Sequence, residues 1–112
     1  MDIEFQSAKF RKECLDFKLL VRKSGLKQAK KIIQRLDELH AADKLSDISH
    51  LPPPRLHELV NNRAGQISVD LVHPYRLLFI PANDPLPFKP DGGLDLSKVT
   101  AVIILGVEDT HE

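Results

Sequence analysis

One cysteine in 112 residues excludes an intramolecular disulfide framework and any CxxC metal or redox centre, and it fits a reducing cytoplasm. Cys14 therefore reads as core. No apolar run approaches the roughly 20 residues of a membrane span. Met1-Asp2-Ile3-Glu4 has no basic stretch ahead of an apolar one, so the expectation is a cytoplasmic chain with no membrane partner. The five histidines form no i, i+4 pair and no cluster with Cys14, so no zinc site is expected. Internal repeats are lacking, as is any low-complexity tract beyond Pro52-Pro53-Pro54. Net charge is also lacking, at zero overall, yet residues 1–36 hold ten Lys/Arg against four Asp/Glu, and residues 80–112 hold two against six. The charge is polarised along the chain.

What is present suffices for one domain spanning 1–112, since a chain of this length with 42% hydrophobic residues supports a single core. Residues 2–5 alternate as a short strand, and Ser7 stands where a helix N-cap belongs. Phe10, Cys14, Phe17 and Val21 then mark one face of a first helix that Ser24-Gly25 can end. A second helix over 26–42 sets Ala29, Ile32, Ile33, Leu36 and Leu39 against a polar face with Lys27, Lys30, Lys31, Gln34 and Arg35. The three prolines cannot continue a helix. Beyond them Arg55–Val60 reads as a strand, 61–65 as a turn, Gln66–Val72 as a strand with Ile67, Val69 and Leu71 on one face, and Arg76–Ile80 and Val99–Val107 as two more strands. Residues 81–98, with four prolines and two glycines, read as a long surface loop. The fold class is α+β in the order β-α-α-β-β-β-β, two helices packed on an antiparallel sheet.

The stretch PPRLHELVNNRAGQISVDLVHPYRLLFI resembles the pattern of HigB-type killer toxins in the RelE-like superfamily. Arg63, Gly65, Tyr75 and Arg76 carry the match, Glu108-Asp109-Thr110-His111 resembles the family's C-terminal ending, and His57 falls where some members place a catalytic histidine. The resemblance implies a RelE-like, microbial-RNase-like fold. It also implies a type II toxin that cuts mRNA on the ribosome without a metal or other cofactor. Its partner would be a cognate HigA-like helix-turn-helix antitoxin, through which alone it would meet promoter DNA.

That reaction needs a group to take the 2′-OH proton, one to protonate the 5′-oxygen, and cations for the charged phosphorane. His57 and His111 are the candidate acid and base, with the order between them open. Arg76 is the candidate phosphate ligand, against a plain sheet-edge ion pair. Asp109 either orients a histidine or simply ends an apolar strand. Arg63 either fixes its turn or touches RNA. Lys27, Lys30, Lys31 and Arg35 form a candidate phosphate-tracking stripe, against an ordinary solvated helix face. Thr110 and Gln66 stand where relatives often have aromatics, which leaves Tyr75 or Phe79 to stack on a base. Two other readings are a ParE-like gyrase inhibitor on the same scaffold, and a degenerate antitoxin-binding module without catalysis.

Overall fold

A computed structural model describes residues 1–109; Thr110 and His111 lie outside the described residues. The elements are β1 (Asp2–Phe5), α1 (Ala8–Leu15), α2 (Phe17–Ser24), α3 (Leu26–Ala41), β2 (His57–Glu58), β3 (Ile67–Asp70), β4 (Tyr75–Pro81) and β5 (Ala101–Asp109). They build an α+β layer pair, helices over a five-stranded sheet of order β1-β5-β4-β3-β2. No helix among the described residues is long and apolar enough to cross a membrane.

The expected order holds with two corrections. Ser7 caps α1 as expected, its hydroxyl accepting from the Phe10 amide at 3.1 Å, and Gly25 ends the second helical segment at φ +82°. Between them the single expected helix is broken at Asp16, whose backbone is extended. The break re-phases the second half: Leu20 is fully buried, whereas Phe17 and Leu15 are exposed. The sheet, moreover, is mixed rather than antiparallel, because β1 runs parallel to β5. That pairing sets Ile3 beside Val102 and Phe5 beside Ile104, so all four apolar side chains share the helix-covered side and join one core.

Leu20, Ala29, Ile32, Leu36 and Leu39 from the helices meet Ile67, Val69, Leu77, Phe79, Val102 and Ile104 from the sheet. Phe79 is wholly buried among them and cannot stack on a base. The expected strand over 55–60 shrinks to two paired residues. Arg55 at φ +48° and Asn61 at φ +58° cannot be extended backbone, so the ladder is cut short on both sides. The 82–98 loop is ordered by Asn83, whose amide group exchanges hydrogen bonds with the Thr100 hydroxyl and amide, both at 3.1 Å.

Arg35 departs most from its expected place. It sits on α3 among lysines, yet its side chain is only 2% exposed. Its Nε donates to the Asp70 carbonyl at 2.7 Å, Nη2 to the Pro53 carbonyl at 2.8 Å, and Nη1 to Glu38 at 2.8 Å. A guanidinium presents donors in a planar fork, which a lysine cannot reproduce. Arg35 thus ties α3 to the end of β3 and to the proline segment, and it leaves the basic stripe. Arg35→Ala removes the donors to the Asp70 and Pro53 carbonyls and the partner of Glu38, at about 1–3 kcal/mol in all for part-buried groups, so thermal denaturation should show a loss of roughly 5 °C or more. Lys27→Ala, on the exposed side of the same helix, should leave the midpoint nearly unchanged.

Candidate functional site

The helices cover one face of the sheet, and strand alternation sends every second side chain to the other. In β3 the residues between Ile67, Val69 and Leu71 are Ser68 and Asp70, with Gln66 just before. Directly paired residues share a face. His57, Ser68, Leu78 and Gly106 therefore form one row across β2, β3, β4 and β5 of the uncovered face. Asp70, Arg76 and Glu108 form the next.

Glu108 reaches this face because of a bulge. Phe79 pairs with Ile104 but Leu78 pairs with Gly106, so Leu105 is the extra residue. Gly106 has φ +147°, a conformation side chains rarely adopt, although a Cβ there would meet nothing within 4 Å. The requirement is conformational rather than steric. Strict alternation along β5 would have grouped Asp109 with Ile103 and Leu105. After the bulge Val107 packs against the core, Glu108 stands opposite Arg76, and Asp109 stands opposite Tyr75. The β5 residue that pairs with Arg76 on the open face is therefore Glu108, and Asp109 shares the opposite side with Tyr75. Tyr75, 47% exposed, borders a shallow depression with Lys23, Ser24, Gln28 and Val107, so it does not share a face with Arg76.

Charge on the open face is organised by Asp70. Its carboxylate accepts from Arg55 Nε at 2.8 Å and Nη2 at 3.1 Å, and Arg76 Nε lies 3.7 Å away. The Asp70 hydrogen bond, foremost among the causes, raises the Arg55 pKa above its ordinary value. Arg76 is largely buried, and its Nη1 has no hydrogen-bond partner among the described residues. Arg63, on the turn Asn61–Arg63, bonds Gln66 at 3.4 Å and Glu108 at 2.8 Å. Its two bonds span the row between, in which Ser68 and Leu78 are buried. The Ser68 hydroxyl there has no partner among the described residues. His57 is half-exposed at the edge, with its Cα roughly 12 Å from that of Arg76 by strand spacing and rise.

Of the residues singled out in the sequence, the structure brings His57, Arg63 and Arg76 to this face. Lys27 and Lys30 are exposed, and Lys31 is half-buried with its Nζ 3.3 Å from Gln34. They lie on the outer side of α3, separated from the open sheet face by a helix and the sheet, roughly 20 Å. His111 lies outside the described residues. Sequence reasoning missed Arg55, Asp70 and Glu108. Asp70 was within reach of it, since the alternation that marks Ile67, Val69 and Leu71 as core marks Asp70 for the other face.

Cys14 is half-buried against the core. Burial, with Glu13 adding to it, pushes its thiol up from 9.0 to about 12. At pH 8 the thiolate population should be roughly a thousandfold below that of an ordinary cysteine. Iodoacetamide should therefore alkylate the native protein far more slowly than the urea-unfolded chain, and equal rates would contradict this placement.

No protein-family pattern matches the chain, and no curated protein matches it by sequence. Among solved structures it is similar to a chain of the YoeB-YefM complex from Staphylococcus aureus. The TM-score is 0.53 at 17% sequence identity, over 100% of this chain and 98% of that one. The two chains share their overall fold.

Proposed function

We propose that this protein is the toxin of a type II toxin–antitoxin pair and acts as a ribosome-dependent mRNA endoribonuclease of the HigB type. The observation that carries the reading is the common face of His57 and Arg76, one imidazole and one guanidinium on a sheet surface that no helix among the described residues covers. The resemblance of residues 53–80 to HigB-type toxins supports it. So does the full-length likeness in fold to a chain solved in a complex of two proteins, which also favours an antitoxin, HigA-like on this reading, as partner.

In the mechanism an mRNA strand lies along the open face with the bond to be cut between His57 and Arg76. The ribose 2′-OH attacks the adjacent phosphorus, and the 5′-oxygen leaves with the following nucleotide. His57 carries one of the two proton transfers and His111 the other. Arg76 meets the charge that builds on the phosphorane oxygens, where its forked donors match the phosphoryl geometry. Glu108, across from Arg76, holds Arg63 over the face. The ribosome presents the strand, and Lys27, Lys30 and Lys31 meet ribosomal RNA on the far side of the molecule. Tyr75 contacts RNA at the end of β4.

One observation favours a second reading, a module that binds an antitoxin without cutting RNA. Arg55, Arg63 and Arg76 all lie beside carboxylates, which compete with a phosphate for them.

Mapping mRNA 5′ ends by primer extension in a reconstituted translation system separates the two. Wild-type protein should produce cuts at codon positions only when ribosomes are present. His57→Ala and Arg76→Ala should each reduce cutting by about a hundredfold or more, with His57→Ala leaving the melting temperature within a few degrees. Blocked translation without cuts, or cutting by His57→Ala at the wild-type rate, would overturn the catalytic assignment.

A further inference from the structure

The turn between β3 and β4 encloses a small polar cavity of about 80 Å³ lined by Arg55, Asp70, Leu71, His73, Pro74, Tyr75 and Arg76. One water needs on the order of 10–15 Å³ by this measure, so there is room for a phosphoryl group. Two guanidinium groups and one carboxylate border the space, leaving it one negative charge short of neutrality even with His73 uncharged. Arg76, on the same wall, carries a buried charged N–H with no acceptor among the described residues, a state costly for a buried donor. Arg55 is held at φ +48°, a conformation a long side chain rarely adopts and one that gathers at ligand sites. Its guanidinium is nonetheless oriented from two atoms by Asp70, so the cavity wall is built before any ligand arrives.

We infer that this cavity is a phosphate subsite, in which Arg55, His73 and Arg76 take a backbone phosphate of the bound RNA next to the one that is cut. The inference rests on the RNA-cleavage reading for the identity of the strand. It adds Arg55 and His73 to the binding surface and gives Arg76 a phosphate on each side. Asp70 acts as a positioning residue: it holds both guanidiniums and keeps Arg55 from swinging into solvent. Phosphate oxygens fit this wall better than a carboxylate because three separate donor groups converge on the cavity, and a tetrahedral group has oxygens for each.

The test uses the full chain with a short 2′-deoxy oligonucleotide, which has the phosphates but no 2′-OH and so reports binding without cleavage. Inorganic phosphate is the second probe, and both are followed by NMR at the arginine Nε–H and histidine ring signals. The oligonucleotide should shift the Arg55, His73 and Arg76 signals. Arg55→Gln should weaken it about tenfold and lower the slope of log affinity against log salt by about one, as loss of one phosphate contact does. His73→Ala, at an exposed side chain, should weaken binding severalfold, and it keeps the inference testable if Arg55→Gln unfolds the protein. Shifts with inorganic phosphate but none with the oligonucleotide would overturn a strand-bound phosphate. Unchanged affinity in His73→Ala together with no shift at Arg55 would overturn the subsite altogether. If binding follows the expected pattern while ribosomes show no cutting, the nuclease reading alone fails. Cutting with none of these binding effects sinks the subsite alone.

Discussion

Asp70 is a junction on which several parts of this molecule depend. Its amide donates to the Pro54 carbonyl at 2.8 Å, its carbonyl accepts from Arg35, and its carboxylate faces Arg55 and Arg76. Helix α3, the proline segment, the end of β3 and the open sheet face therefore share one node. Arg35 supplies its buried charge from the helix side, satisfied by two carbonyls and the Glu38 carboxylate, so the ion does not sit uncompensated in the interior. Without that link the Pro52–Pro54 segment would lack its tie to α3, and Arg55 would lose the frame that points it at the β3–β4 turn.

The second constraint is the phase of β5. A single bulge with Gly106 at φ +147° moves Val107 to the core side and Glu108 to the open side. Arg63 can then bridge from the Asn61–Arg63 turn to Glu108 and span the row holding Ser68 and Leu78. The surface proposed to take RNA is consequently shaped by ion pairs rather than by apolar packing. Such pairs, partly exposed, contribute little to stability individually, so they orient the arginines without carrying the fold.

Charge placement also reconciles a neutral chain with the polyanionic partner proposed for it. The basic helical side and the arginine-bearing sheet face lie on opposite sides of the molecule, so each can meet a different stretch of nucleic acid. A small enzyme seated within a large ribonucleoprotein would be contacted on both sides, whereas one acting on a free strand would use only the sheet face.

The local pattern of the sequence was enough for the Ser7 cap, the Gly25 stop, the apolar faces of α3 and β3, and the α+β order, because capping and periodicity depend only on near neighbours. It also carried His57 and Arg76 as candidates, through family resemblance, and the alternation around Asp70. Other features depend on contacts between residues far apart in the chain. The break at Asp16 and the parallel pairing of β1 with β5 are two of them. Arg35 reads as one more cation on a polar helix face until the Asp70 and Pro53 carbonyls are brought against it. Glu108 displaces Asp109 at the site because the bulge shifts the phase of β5, and alternation along a sequence carries no mark of where a strand takes up an extra residue.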